Sequence, residues 1–352
     1  MIIDSHAHVV APDGLYAYRA ALIADGGYHA GKPKVPDDAL AQAAAGNVSI
    51  MDSVGTDLQL LSPRPFHLGT SMSPARLVAP WIRANNDTIA RTVALHPDRF
   101  AGVGALPLVP DQPVEVAFAE LDRIVDLGFV GVLVNPDLHE GRGATPPLGD
   151  RYWYPLYEKL VDYDLPMHVH SAGCYSERET YSEHFITEES IAILSMLRSP
   201  MFTDFSTLRV LISHGGGSVP YQIGRWQAEV LHPALGGGPA TERFETSLRR
   251  FWFDTVLHHP PSLELLLRTV GADRVLFGTK KPGSGSAPNP DTGRDFDDLK
   301  PVIEGFGFLS DTDRHAVFED NARLVFPRLQ KGWCPSERSR ETVTGARHLR
   351  GV

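Results

Sequence analysis

The chain has 352 residues and a mass of 38.6 kDa, and its 42% hydrophobic and 22% charged residues are typical of a globular protein. A formal net charge of −10 argues against a nucleic-acid backbone or an anionic membrane as the main partner. Two cysteines are too few for a disulfide framework, no apolar run reaches membrane-spanning length and no signal peptide precedes the first strand, so we expect a cytoplasmic protein.

Short apolar runs alternate with helical patterns along the chain. Residues 11–50 form a long excursion after the first run, with room for one or two helices. No hairpin turn signal separates consecutive runs, which indicates parallel strands joined by helical crossovers. The predicted strands are Met1–His8, Thr56–Leu61, Phe100–Leu108, Phe129–Val134, Leu165–His170, Leu208–His214, Phe251–Asp254 and Arg274–Thr279.

Helical spacing follows most of these strands, and a residue such as Pro97 or Gly128 ends the pattern. Eight strand–helix units are the number that closes a (β/α)8 barrel. A doubly wound open sheet is the alternative, but no G-x-G-x-x-G motif follows the first strand. The sequence therefore predicts one TIM-type barrel over residues 1–330 and a polar tail at 331–352. The predicted helices are Leu77–Leu95, Val114–Asp126, Tyr154–Tyr163, Glu188–Leu197, Val219–Val230, Ser262–Thr269 and Asp311–Phe318.

The first strand carries an H-x-H motif at His6 and His8. Successive side chains on a strand point to opposite faces, so Asp4, His6 and His8 share one side. Two imidazoles in this arrangement can bind one metal ion from a fixed direction. A hydrogen-bonded histidine pair without metal is the simpler reading. The later histidines at strand ends favour the metal.

Polar side chains collect at the carboxyl ends of the other predicted strands, where barrel enzymes place their active sites. His168 and His170 share a face of the fifth strand, and we predict that His170, nearer the rim, is the ligand while His168 lies in the core. His214 precedes three glycines that allow close approach of a substrate. A neutral imidazole there is suited to proton transfer near a metal-bound water.

The ordered set of motifs resembles the amidohydrolase-2 branch of the amidohydrolase superfamily, which includes the aminocarboxymuconate semialdehyde decarboxylase-like enzymes. The set comprises His6-Ala-His8, the strand ending at His170, the run from Ile212 through His214 to Gly217, and Leu276-Phe-Gly-Thr279. The resemblance extends from residue 1 to about 325. It implies a barrel that binds zinc through His6, His8 and His170, with His214 as the catalytic histidine.

The family's remaining metal ligand is a carboxylate just after the eighth strand, and Lys280 occupies the matching position here. A protonated amine at about 4 Å from a divalent ion is repelled by roughly 8 kcal/mol at an effective dielectric constant near 20. Lys280 therefore turns away, is deprotonated, or leaves the metal weakly bound or absent; a change that disables the enzyme would leave the same pattern. Three histidines still provide a zinc site with an open position.

The resemblance implies a metal-dependent lyase that adds water to an unsaturated oxo di- or tricarboxylic acid from aromatic-compound degradation. The loop at 282–298 is similar to that of the hydratase subgroup. Non-oxidative decarboxylation, metal-dependent hydrolysis and a metal-free acid-binding protein are the alternatives. Arg64 and Arg225 are candidates for substrate carboxylates and Asn135 for substrate orientation; a surface salt bridge or a turn cap would explain them equally. The family also implies a homo-oligomer.

Overall fold

Eight parallel strands form one sheet, in the order β1 to β8, in a computed structural model that describes residues 1–29, 31–238 and 242–329. Every strand pairs with the next one along the chain, as parallel βαβ units require. The strands are β1 (Ile3–His8), β2 (Leu58–Ser62), β3 (Phe100–Ala105), β4 (Gly131–Val134), β5 (Met167–Val169), β6 (Val210–Ile212), β7 (Trp252–Asp254) and β8 (Val275–Leu276).

Backbone hydrogen bonds join the last strand region to the first. The N–H of Ser5 donates to the carbonyl of Phe277 at 2.8 Å, and the N–H of Lys280 donates to the carbonyl of His6 at 2.7 Å. The sheet is therefore closed, and the predicted (β/α)8 barrel is confirmed. The predicted tail at 331–352 lies outside the described residues.

Helices surround the barrel, and two of them fill the excursion after β1. Among the described residues, no helix combines the length and apolar character needed to cross a membrane. The helices are α1 (Asp13–Ala24), α2 (Asp37–Val54), α3 (Val78–Leu95), α4 (Phe118–Asp126), α5 (Tyr154–Asp162), α6 (Tyr181–Leu197), α7 (Met201–Asp204), α8 (Ile223–Leu231), α9 (Phe244–Leu248), α10 (Pro260–Val270), α11 (Lys300–Glu304), α12 (Asp311–His315) and α13 (Asn321–Val325).

The largest difference from the sequence prediction is the start of α6, at Tyr181 rather than at Glu188. Thr180 caps this helix: its side chain accepts from the N–H of Glu183, whose carboxylate accepts from the N–H of Thr180. The two extra turns place His184 and Glu188 on one helix face, because residues four apart are neighbours on a helix surface.

The strands are held between a buried lumen and a buried outer layer. Val132, Val134 and Met167 pack in the same apolar cluster as Leu156 and Leu160 of α5. Burial of each such side chain contributes about 1.5–3 kcal/mol. Strand ends in this packed frame have little freedom to move, so the side chains that follow them are held in fixed positions.

Candidate active site and metal centre

Three histidine side chains from two strand regions meet inside the barrel. His6 and His8 lie on β1, and His170 follows β5 directly. One donor atom from each imidazole lies within 4.8 Å of the corresponding atoms of the other two. The ring centroids of His6 and His170 are 4.9 Å apart, and those of His8 and His170 are 5.4 Å apart. We call this group the histidine triad.

Each triad imidazole uses its Nδ1 atom in a hydrogen bond that fixes the ring. Nδ1 of His6 lies 2.6 Å from Oδ2 of Asp254, and Nδ1 of His170 lies 2.6 Å from the carbonyl of Ser171. Nδ1 of His8 lies 2.9 Å from Oγ of Ser62, whose hydroxyl donates to the carbonyl of Ala7. These partners accept, so Nδ1 carries the proton and Nε2 a lone pair on all three rings.

The Nε2 atoms of the triad are buried, and none has a hydrogen-bond partner among the described residues. Burial lowers the pKa of each imidazole well below its usual value, which keeps the rings neutral. Buried polar nitrogens are normally satisfied. Three neutral, converging and unsatisfied nitrogens therefore fit a divalent metal ion, and the partners on Nδ1 supply the outer-shell support that metal-ligating histidines have.

His168 occupies a different place, although it lies on the same strand as the triad ligand. Its Nε2 atom is 2.9 Å from Oγ of Ser213, so the nitrogen is satisfied within the core. Burial lowers its pKa to about 4. His168 also belongs to a second donor group with His6 and Asp254, whose ligand-type atoms lie within 4.8 Å of one another.

His214 lies beside the triad and is held by a carboxylate. Its Nδ1 atom lies 2.9 and 3.0 Å from the two oxygens of Glu189 on α6, so Nδ1 donates and Nε2 carries the lone pair. The ring stacks on Phe185 with an interplanar angle of 9° and lies 4.8 Å from His170, centroid to centroid. Burial and the neighbouring Lys280 hold the pKa of His214 well below its usual value. This is the arrangement of a neutral, oriented general base.

Lys280 turns its amine toward His214. The Nζ atom lies 3.1 Å from Nε2 of His214 and 4.5 Å from the ring centroid of Phe185. The residue is 5% exposed, and no carboxylate lies within ion-pair distance among the described residues. Burial lowers the pKa of this amine to about 8. The position that carries a metal-binding carboxylate in the resembled family therefore holds a hydrogen-bond donor to His214.

The three substrate-binding candidates lie in different surroundings. Arg64 follows β2, is half-buried, and has no ion pair within the described part of the chain; its charge acts on His8 and Lys280. Asn135 follows β4 and uses its side chain locally, donating to the carbonyl of Asp137 and accepting from the N–H of the same residue. Arg225 lies exposed on α8.

Two carboxylates with roles in this site were absent from the predicted set. Asp254 lies at the end of β7, and its Oδ1 also accepts from the N–H groups of Gly215 and Val256. Glu189 is on α6, far in sequence from His214. Its side chain is fully buried, and burial together with Asp254 raises its pKa well above the usual range. The sequence signal available for Glu189 was its position four residues after Phe185 and four before Ile193, which places a carboxylate on the same helix face as two apolar side chains.

Comparisons with known proteins agree with this geometry. The Amidohydrolase family profile (Amidohydro_2) matches residues 3–328. A 2-keto-4-carboxy-3-hexenedioate hydratase from Sphingobium sp. is 37% identical over 341 residues, covering 94% of this chain and 97% of that protein. The crystal structure of 4-oxalomesaconate hydratase from Rhodopseudomonas palustris superposes with a TM-score of 0.84 at 30% identity, covering 97% of this chain and 100% of that one.

A more distant solved structure shares the fold. Dihydroxybenzoic acid decarboxylase from Polaromonas sp., solved with bound manganese and the inhibitor 2-nitroresorcinol, has a TM-score of 0.67 at 24% identity. The alignment covers 94% of this chain and 97% of the decarboxylase. The same barrel therefore occurs in hydratases and in decarboxylases.

Proposed function

This chain belongs to the amidohydrolase family, and from that premise we propose that it is a metal-dependent hydratase. Its reaction adds water across the activated C=C bond of a small unsaturated oxo di- or tricarboxylic acid. The substrates named for the two hydratase relatives, 2-keto-4-carboxy-3-hexenedioate and 4-oxalomesaconate, belong to this class. The proposed partner is thus a small carboxylic acid; cytoplasmic location and homo-oligomeric state stay predictions of the sequence.

The observation that carries the proposal is the placement of His214 against the histidine triad. The unsatisfied Nε2 atoms of the triad offer a metal site, and the centroid of the His214 ring is 4.8 Å from that of His170 and 5.4 Å from that of His6. Hydration needs an activated water and a base within reach of it. Both requirements meet at this end of the barrel.

We propose zinc as the metal, held by His6, His8 and His170, because neutral imidazoles are common zinc ligands and three of them leave a position open. The ion would polarise a substrate oxygen and lower the pKa of a water molecule. Lys280 does not contribute a ligand in this proposal, since its amine faces His214.

His214 takes the proton from the water that adds to the substrate through its Nε2 lone pair, once the amine of Lys280, 3.1 Å away, releases that lone pair. The buried carboxylate of Glu189 holds the ring by Nδ1 and favours the imidazolium that forms. The proton then returns to the substrate carbon next to the one that received the hydroxyl, so the net change is the addition of one water. Phe185 covers one face of the ring and keeps bulk water from it.

Arg64 is the proposed anchor for a substrate carboxylate. Its guanidinium has no ion pair among the described residues, while its charge reaches the residues of the site. A guanidinium matches a carboxylate with two parallel hydrogen bonds. Asn135 is proposed only to hold the loop after β4, and Arg225 stays a prediction without a structural argument.

A direct assay tests the proposal. Purified protein loaded with Zn²⁺ is mixed with 4-oxalomesaconate, and loss of the conjugated chromophore is followed together with product mass. We expect a product heavier by one water, formed by the native protein and lost in His214→Asn. A product lighter by carbon dioxide would replace the proposal with the decarboxylase alternative. An intact substrate, with hydrolysis of a simple lactone instead, would favour the hydrolase.

A further inference from the structure

A second group of metal-type donors lies outside the histidine triad. Asp137 belongs to the loop after β4, and His184 and Glu188 lie one turn apart on α6. Their donor atoms are all within 4.8 Å of one another. The three residues line a cavity of about 300 Å³, bordered by the loop segment 141–148. None of them forms a hydrogen bond or ion pair with the histidine triad, His214 or Arg64 among the described residues.

His184 presents an unsatisfied nitrogen to this group. Its side chain is 1% exposed, and Nδ1 lies 3.1 Å from Oε1 of Glu179. Nε2 faces Oδ2 of Asp137 at 3.5 Å and makes no hydrogen bond among the described residues. Nearly all buried polar atoms find a hydrogen-bond partner, whereas Nε2 has only the 3.5 Å ion-pair contact with Asp137; a metal ion that displaces the imidazole proton would give this nitrogen a closer partner.

Negative charge exceeds positive charge around this nitrogen. Asp137, Glu179 and Glu188 surround His184, and no Lys or Arg of the described chain forms an ion pair with any of them. Burial and the charge of Asp137 raise the pKa of Glu188 to about 7. Burial opposes charge on His184, yet Asp137 and Glu179 raise its pKa to about 9. A divalent cation would displace the imidazole proton, and the surrounding carboxylates would neutralise the charge of the ion.

We propose that Asp137, His184 and Glu188 bind a divalent transition-metal ion at a second site. One imidazole nitrogen and two carboxylate oxygens are a donor set that suits Zn²⁺ or Mn²⁺ better than Ca²⁺, which takes six to eight oxygens. The carboxylate of Asp137 is already oriented, because it accepts from the N–H groups of His139 and Gly141.

The ion would join the loop after β4 to α6. That helix also carries Glu189, which holds His214 in the active site. The direct effect of the second ion would therefore be structural. Because α6 also carries Glu189, the ion would in addition fix the position of the residue that orients His214. This inference does not depend on the proposed hydration reaction.

Zinc stoichiometry tests the second site in the full chain. Protein stripped with chelator is titrated with Zn²⁺, and bound metal per chain is measured by calorimetry and elemental analysis for four proteins. The native chain is expected to bind two ions, Glu188→Gln one, and His6→Ala/His8→Ala one. Glu177→Gln, a matched loss of an exposed carboxylate in the loop before α6, is expected to bind two.

Each outcome decides the matter. If the native chain binds one ion, and this ion is lost in His6→Ala/His8→Ala but kept in Glu188→Gln, the second site is wrong. If the single ion is lost in Glu188→Gln and kept in the double variant, the second site stands and the triad fails. Two ions in Glu188→Gln with unchanged affinity would also overturn the proposal.

Circular dichroism of each variant shows whether the fold is kept. Glu188→Lys, which places an amine in the cavity, provides a second variant that should bind one ion.

Discussion

The amine of Lys280 lies 3.1 Å from Nε2 of His214, and Nδ1 of that ring is held by Glu189. Because Glu189 fixes the proton on Nδ1, the hydrogen bond at Nε2 runs from the amine to the imidazole. The side chain of residue 280 is thus directed to His214, the proposed base. Its charge still acts on all three triad imidazoles.

Replacing Lys280 by Glu should tighten metal binding at the triad. The change removes a positive charge beside the site and supplies a carboxylate, which attracts a divalent ion. We expect Zn²⁺ affinity to rise by about tenfold or more, equivalent to about 1.4 kcal/mol. The titration is made in the Glu188→Gln background so that only the triad is observed, with Lys280→Met as the neutral control. Equal affinities for the Glu and Met variants would contradict this expectation.

Asp254→Asn should weaken the same metal site without touching a ligand. Asp254 accepts from Nδ1 of His6 at 2.6 Å and so orients Nε2. Loss of such an outer-shell partner typically lowers metal affinity by about 10- to 100-fold. Ser62→Ala, which removes the neutral partner of His8, is the comparison and should have a smaller effect. An Asn variant that binds zinc as tightly as the native chain would show that the contact has no such role.

Glu189→Gln should impair proton transfer while leaving zinc in place. The amide can face Nδ1 of His214 but cannot favour a charged imidazolium, so we expect kcat to fall by roughly 10²- to 10⁴-fold, the usual range for general acid–base catalysis. The acid and alkaline limbs of the pH–rate profile should also shift in the Glu189→Gln variant. Unchanged KM and zinc content separate this effect from misfolding, and a kcat near the native value would count against His214 as the base.

Arg64→Ala should raise KM for an anionic substrate much more than it lowers kcat. The half-buried guanidinium has no internal ion pair among the described residues, so its removal breaks no ion pair. A charge-assisted hydrogen bond contributes about 1.5–3 kcal/mol, or roughly 10- to 100-fold in KM. Arg64→Lys should recover part of the loss. Arg83→Ala, an exposed charge change on α3, is the control, and equal effects of the two alanine variants would exclude the proposed role.

The contribution of Glu188 and His184 to apoprotein stability should fall as pH rises from about 4.5 to about 9. The pKa of Glu188 is raised from 4.5 to about 7 and that of His184 from 6.5 to about 9. In each case the folded state holds its proton at a pH where the unfolded state has lost it, so raising the pH favours unfolding. Glu188→Gln should reduce the change in the free energy of unfolding between pH 4.5 and about pH 7, as measured by urea unfolding. Added Zn²⁺ should reverse the loss near pH 8, since the ion replaces the protons. Equal pH dependence in the native chain and in Glu188→Gln would contradict the assignment to Glu188.

The fold and the triad were accessible from sequence because strand alternation and strand count are local signals. His6, His8 and His170 each follow from one strand pattern and the rule that barrel sites lie at strand ends. Glu189 was not accessible in this way. It reaches His214 from a helix, and which helix residue faces the barrel depends on where that helix begins, which the capping box at Thr180 decides.

The direction of the Lys280 side chain was equally beyond the sequence. A protonated amine and a metal ion repel each other. This repulsion does not determine which neighbour the amine of Lys280 contacts instead. Phe185 and His214 settle this in the folded chain, because they provide a ring face and a lone pair at the same point. Both come from segments remote from residue 280 in the chain.

The bonds from Ser5 to Phe277 and from Lys280 to His6 have a consequence for how the protein is made. The first two triad histidines are synthesised long before residue 280, but their strand gains its second neighbour only after residue 280 has emerged from the ribosome. Nascent chains should therefore be unable to retain a metal ion at the triad until residue 280 has been made. Chaperones that shield the amino-terminal strand during this interval would protect the site that the last strand later completes.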